Sequence, residues 1–187
     1  MTSHFTEIIT PAPSEADIYG KLFISGFKAA ANESKLAEYD IKLVVSMMQL
    51  EVRKFKPALN GKTNGVVVKI FPVEDLESSD ISKYFFETTN LIADALFHGF
   101  NVLVHCESGY SRAPTIAIAA KMRFWFQTFD ETFKEISAID SRVSPNFGFR
   151  MQLKEYEKFL KIKQKREQGV SHAALRATIS QKPGLFA

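Results

Sequence analysis

At 187 residues, with 45% hydrophobic and 24% charged side chains, the chain has the makeup of one folded domain rather than a disordered or collagen-like polymer. Its single cysteine, Cys106, excludes an internal disulfide and a thiolate metal cluster and points to a reducing compartment. The formal charge of +3 is unevenly spread: residues 161–187 carry six Lys/Arg against Glu167 alone, net +5, which leaves the remainder at −2.

No stretch approaches the roughly 18 apolar residues of a membrane span. The opening MTSHFTEIIT lacks the basic-then-apolar layout of a secretory signal. The ending PGLFA is no prenylation box, and Thr2 leaves no N-myristoyl glycine. These features predict a cytoplasmic protein with no membrane anchor. The run KIKQKR in the basic tail reads as a solvated helix end, with a nuclear address or a polyanion contact as the alternatives; its partner is unknown.

In chain order, DIYGKLFISG reads as two short strands bent at Gly20. NESKLAEYD reads as a short helix capped by Asn32. IKLVVSM is a buried strand, and GVVVKIF is another after the turn-like NGKTNG. From Ile81 the apolar positions 81, 84, 85, 91, 92, 95 and 96 take helical spacing, with Asp80 capping the start and Gly99 the end. A strand over 102–105 follows, then helices from about Ala113 to Gln127, over DETFKEISAID, and from near Pro145 into the tail. The alternation predicts a single α/β domain: a mixed, mostly parallel central sheet of about five strands, flanked by helices on both faces. The expected organisation is an N-terminal extension over 1–16, the domain over 17–160 and the basic tail over 161–187.

The segment VLVHCESGYSRAPT, residues 102–115, carries the chemistry. A loop from the C-terminal end of a strand to a helix N-terminus is where open α/β sheets bind ligands, and the helix's unpaired N–H groups attract anions there. Residues Glu107, Ser108, Gly109, Tyr110, Ser111 and Arg112 can curl with their amides inward around one phosphate-sized anion. Gly109 permits the backbone angles of that curl, Arg112 offers a planar fork to two phosphate oxygens, and Pro114 suits the first helical turn. A thiol in such a positive cup ionises readily, its thiolate favoured by roughly 4 kcal/mol over that of a free cysteine. Cys106 is therefore a candidate nucleophile for covalent phosphoryl transfer, with no metal and no cofactor expected. With no second cysteine to trap it, oxidation of an exposed thiolate is expected to end in sulfenic acid or a backbone sulfenamide.

The run HCESGYSRAP resembles the signature of cysteine-dependent protein phosphatases, and within them the small dual-specificity branch, whose loop commonly ends Gly-Tyr-Ser-Arg. The likeness extends from about Asp17 to Leu160. KLFISGFKAAANESKLAEYDIKLVVSM is similar to the family's opening strand, helix and second core strand, and VSPNFGFRMQLKEYEKFL to its closing segment. With no kinase-docking domain ahead of the body, the chain resembles the small atypical members. The resemblance implies removal of phosphate from phosphotyrosine and phosphoserine/threonine, hence phosphorylated proteins as partners in signalling.

It also implies a general acid on a separate loop, which protonates the leaving oxygen. PVEDLESSD offers Glu74, Asp75 and Asp80. Asp80 abuts the helical periodicity and reads as a cap. Asp75 lies nine residues before Tyr84, matching the family's spacing to a Tyr-Phe pair, with Glu74 in reserve. His105 resembles the histidine that orients the cysteine and helps keep it ionised. Ser111 either braces the loop or faces solvent. Asn146 either bonds the loop backbone, as the resemblance implies, or pins the SPN turn. Tyr110 and Glu107 are expected on the rim.

Position 113 departs from the family pattern: most members place a serine or threonine after the arginine, and here it is Ala113. That hydroxyl is understood to stabilise the departing thiolate, so slow breakdown of the phosphoenzyme is expected, as in the prenylated regenerating-liver phosphatases. The loop holds the acid Glu107 and no base except Arg112, which disfavours crowded polyanions, nucleic acid included. The alternatives are a phosphoinositide or RNA 5′-phosphate phosphatase, and a weakly catalytic phosphopeptide-binding scaffold.

Overall fold

The structure, a computed structural model, describes residues 5–9, 19–48 and 65–166, the last five as backbone only. The basic tail past Lys161 and the NGKTNG turn before Gly65 lie outside the residues whose side chains are described.

Five strands form one sheet: β1 Thr6–Ile9, β2 Leu22–Gly26, β3 Ile41–Ser46, β4 Val67–Ile70 and β5 Asn101–Cys106. Their order is β1-β2-β5-β3-β4, with β1 antiparallel to β2 and every other pairing parallel. Strand β5 is central, and from Val102 to Cys106 it is buried throughout. Side chains alternate across it. Val102, Val104 and Cys106 enter the larger core with Ile24, Val45 and Phe149, while Leu103 joins Phe23, Leu36 and Val44 in the smaller one.

The smaller core is closed by α1 Phe27–Ala30 and α2 Glu33–Glu38; Asn32 caps α2 by accepting from the Lys35 amide at 3.1 Å, as its sequence predicts. The larger core is closed by α3 Phe85–Phe97, α4 Arg112–Trp125, α5 Phe129–Ile139 and α6 Phe147–Arg166. A 3₁₀ turn, Ser82–Tyr84, leads into α3, and Asp80 accepts from Ser82 Oγ at 2.7 Å and the Lys83 amide at 3.3 Å, the capping role expected of it. Helix α5 starts in a capping box between Thr128 and Glu131.

One element differs from expectation. The stretch over 1–16, expected as an extension, contributes β1. Phe5, Ile8 and Ile9 are buried, and a register shift between Glu7 and Ile9 keeps both isoleucines inward. Of the two short strands expected around Gly20, the second forms as β2, while Asp17 and Ile18 of the first lie outside the described residues. Gly20 presses on the Phe100 backbone, where an added Cβ would lie 2.0 Å from the carbonyl oxygen, and its amide donates to Leu96 O at 2.8 Å.

The parallel strands β2, β3 and β5 end on one edge of the sheet. In register, Gly26 lies beside Cys106, and both Ser25 and Ser46 beside His105. That edge carries the candidate site.

Candidate active site

The chain leaves β5 at Cys106 and enters α4 at Arg112 through a tight curl. Gly109 makes the curl possible: its φ is +86°, and a Cβ there would sit 2.7 Å from Gly26 N and from Ser25 C. The loop's carbonyls are taken by its surroundings. Glu107 O accepts from Phe27 N at 3.0 Å, Tyr110 O from Ser144 N at 2.7 Å, and Ser111 O from Thr115 N at 3.0 Å and Thr115 Oγ1 at 2.8 Å. In a trans peptide the N–H opposes the C=O, so the amides of Ser108, Ser111 and Arg112 face the other way, into the curl. The amide of Gly109 points at the Cys106 sulfur, N to Sγ 3.3 Å. One amide of the curl, that of Gly109, thus reaches the thiol, while the Tyr110 amide donates to Ser108 Oγ at 3.3 Å.

Cys106 itself is fully buried, whereas oxidation to sulfenic acid was expected of an exposed thiol. Ala113 is also fully buried, in the same core cluster as Cys106.

Arg112 closes one side. Its Nη1 donates to Val73 O at 3.1 Å, which fixes the guanidinium plane. Its Nε is buried and finds no hydrogen-bond acceptor among the described residues; Asp75 Oδ2 lies 3.5 Å away, in ion-pair range only. A buried guanidinium donor without an acceptor is a costly arrangement that an oxyanion would relieve.

Asp75 stands over the same site. Its Oδ1 accepts from Ser111 Oγ at 2.6 Å and from Asn146 Nδ2 at 2.9 Å. Glu74, the reserve candidate, is exposed, as is Asp75; the contacts to Ser111, Asn146 and Arg112 are those of Asp75. Ser111 does not face solvent: it is buried, and its hydroxyl ties the curl to the acid Asp75 and to the Asn146 amide. Asn146 does not bond the loop backbone through its side chain. Its Oδ1 accepts from Phe149 N at 2.9 Å, capping α6, while its Nδ2 holds Asp75 and its backbone amide donates to Ser111 Oγ at 3.3 Å. The turn-pinning reading is the nearer one, and the acid contact left no trace in the sequence.

His105 and Cys106 are adjacent on a strand, so their side chains take opposite faces of the sheet. The imidazole is fully buried, 6.3 Å from the Phe27 ring, and its Nδ1 lies 3.4 Å from Cys106 O. Burial first, and then the Arg112 charge, push its pKa from 6.5 down to about 4, against a raising contact with the Cys106 backbone. At neutral pH it is an uncharged ring that contacts the loop's backbone, and it adds no positive charge to favour a thiolate. Its depressed pKa makes stability depend on pH. Below 6.5 the unfolded chain takes a proton that the folded chain refuses until about 4. Falling pH therefore costs about 3 kcal/mol across that window. Urea midpoints for wild type should drop more steeply between those limits than for His105→Gln; parallel curves would refute the assignment.

The rim carries Tyr110 and Glu107, both half-buried. Arg142, which the sequence did not single out, lies over the Tyr110 ring at 5.3 Å. Asp140 grips it through Nε and Nη2, each at 2.8 Å, and also accepts from Thr6 Oγ1 at 3.2 Å, so edge strand β1 reaches the rim. The Arg142 contacts hold the Asp140 carboxyl below its usual range. An acid two residues before an arginine, just ahead of SPN, was the available signal.

Among the described residues no group of three or more His, Cys, Asp or Glu is placed to hold a metal ion, and no helix is long and apolar enough to cross a membrane. Residues 22–159 match the family model for the dual specificity phosphatase catalytic domain. Human dual specificity protein phosphatase 9 is 27% identical over 169 residues, 90% of this chain and 43% of that protein. Rat dual specificity protein phosphatase 5 is 46% identical over 89 residues, 48% of this chain and 23% of that protein. The chain thus spans less than half the length of these curated relatives. Among solved structures, a mouse putative dual specificity phosphatase complexed with zinc tungstate is similar with a TM-score of 0.71 at 25% identity, covering 87% of this chain and 92% of the mouse chain. The matched region holds both the Cys106–Arg112 curl and the Asp75 loop, and the chain belongs to the dual-specificity phosphatase catalytic-domain family.

Proposed function

We propose that the chain is a phosphoprotein phosphatase that works through a phosphocysteine on Cys106. The observation that carries this reading is the convergence on one small volume: Sγ under the Gly109 amide, the acceptor-less Nε of Arg112, and the Asp75 carboxyl held between Ser111 and Asn146.

The sulfur attacks phosphorus, forming S–P as the ester P–O bond breaks. Arg112 and the inward amides hold the three non-bridging oxygens, where charge is greatest in the transition state. Asp75 gives its proton to the departing oxygen. Water then attacks phosphorus, Asp75 takes the water's proton back, S–P breaks, and inorganic phosphate leaves. The mouse relative is complexed with zinc tungstate, whose anion is a tetrahedral oxyanion, and this supports oxyanion binding here. Exposed Glu74 and Glu77 flank Asp75, and Glu107 lies in the curl; these carboxylates repel crowded polyanions and favour phosphoprotein substrates over phosphoinositides or RNA 5′-phosphates.

The test is hydrolysis of 4-nitrophenyl phosphate, inhibited by vanadate and abolished in Cys106→Ser, beside a panel of phosphopeptides, phosphoinositides and nucleotides. A faster rate on a lipid or nucleotide than on every phosphopeptide overturns the substrate assignment.

Ala113 sets the second step. No side-chain hydroxyl stands there to receive the departing thiolate, so the phosphoenzyme should accumulate. Stopped-flow traces should show a burst of product followed by slow turnover, and Ala113→Ser should raise the slow phase about 10-fold, the lower end of what a hydrogen bond to a charged group contributes. A single-phase trace indifferent to that substitution contradicts the idea.

A further inference from the structure

The segment from Pro72 to Asp80 carries Asp75 yet has no regular secondary structure, and its position is set by contacts along its whole length. Upstream, Tyr84 Oη donates to Pro72 O at 3.0 Å and Arg112 Nη1 to Val73 O at 3.1 Å. In the middle, Asp75 is held by Ser111 and Asn146. Downstream, two further residues of α6 take over. Gly148 lies so close to Glu77 that an added Cβ would be 1.9 Å from its carbonyl oxygen. Gln152 then makes three bonds to backbone: its Oε1 accepts from Ile81 N and Ser82 N, both at 2.9 Å, and its Nε2 donates to Ser79 O at 2.8 Å.

Positions 148 and 152 lie one above the other on a helix, and Asn146 sits at its entrance. One end of α6 thus presents a contact to Asp75, then to Glu77, then to Ser79, Ile81 and Ser82, in the order of the loop's own sequence. A loop secured this way is a built part of the site, not a free connection. An amide side chain also suits this position, because it satisfies two donors and one acceptor of the loop backbone at once.

Resting on the proposed phosphatase reading, we propose that Gln152 is a positioning residue for leaving-group protonation: it fixes the downstream stem of the Asp75 loop, so the carboxyl stands at the departing oxygen. Gln152 touches neither the curl nor the reacting atoms. Its effect passes through Asp75, and it should matter in proportion to how much proton the leaving group needs. Small misplacements of a reacting group cost up to about 100-fold.

The test compares wild type, Gln152→Ala and Gln152→Glu on phenyl phosphate, whose leaving group needs the proton, and on 4-nitrophenyl phosphate, whose leaving group needs it less. Gln152→Ala should lower kcat on phenyl phosphate about 10- to 100-fold, lower it several-fold less on 4-nitrophenyl phosphate, and leave KM within about 2-fold on both. Gln152→Glu keeps the two acceptor bonds and should recover part of the loss. In an Asp75→Asn background, Gln152→Ala should add nothing. Equal losses on the two esters, or the same loss with and without Asp75, overturn the proposal. Amide hydrogen exchange separates its failure from that of the phosphatase reading. The Ile81 and Ser82 amides should be protected in wild type and exchange about 10-fold faster in Gln152→Ala. Unprotected amides in wild type overturn the clamp whatever the enzyme hydrolyses, whereas protected amides in a chain with no phosphatase activity sink the function and leave the clamp in place.

Discussion

Asp75→Asn should lower kcat for a phosphoserine peptide by about 10²- to 10⁴-fold, the range over which one positioned proton donor acts. The substitution is nearly isosteric: the asparagine oxygen still accepts from Ser111 Oγ and Asn146 Nδ2, so the loop should keep its place and the fold its stability. The proton is lost, and with it the 3.5 Å ion-pair contact of Oδ2 with Arg112 Nε. The loss should shrink on 4-nitrophenyl phosphate, because a nitrophenolate departs without help. KM should change little, since the first contacts of the phosphate are with Arg112 and the curl. Steady-state kinetics on the two substrates check this directly. An unchanged rate on the peptide would transfer the acid role to Glu74, the neighbouring acid of the same loop.

Arg112→Lys should be the other severe substitution. Lysine keeps the charge but loses the planar fork. It surrenders both the Val73 O contact that fixes the guanidinium and the buried Nε donor that awaits an oxygen. One transition-state oxyanion donor contributes about 10²- to 10³-fold in kcat, and the lost plane should bring the variant to at least that. Vanadate inhibition should weaken with it, because vanadate occupies the same oxygens. A rate or vanadate affinity for Arg112→Lys equal to that of wild type would mean that point charge alone suffices and that the fork geometry is incidental.

What the sequence disclosed and what it concealed divide by the range of the contacts. The β5–curl–α4 unit was legible because its constraints are local: an apolar run, a glycine that must take positive φ, and an arginine at a fixed interval, all within fourteen residues. The caps Asn32 and Asp80 were legible for the same reason, each bonding an amide three residues on. Strand β1 was not. TEII is short and half polar, and only pairing with Leu22–Ile24 makes it a strand. The local roles of Ser111 and Asn146 are legible, but their shared partner Asp75 is not, because it lies 36 and 71 residues away. Gln152 gave no signal at all. It meets Ile81 across 71 residues, and nothing in SSDISKY or FRMQL hints at that encounter.

His105 shows the same limit at close range. Its neighbour in sequence is the nucleophile, which suggests direct electrostatic help. The strand's alternation sends the ring to the opposite face and burial keeps it neutral, so it can act on the loop only through backbone and packing.

The central claim is that phosphate passes through sulfur. Rapid-quench intact-mass analysis during turnover of 4-nitrophenyl phosphate tests it most directly. Wild type should gain the mass of one PO₃ group within the first turnover, the adduct should map to the peptide bearing Cys106, and Cys106→Ser should show neither adduct nor product. Steady hydrolysis with unmodified protein at every quench time, or hydrolysis that survives Cys106→Ser, would contradict the account.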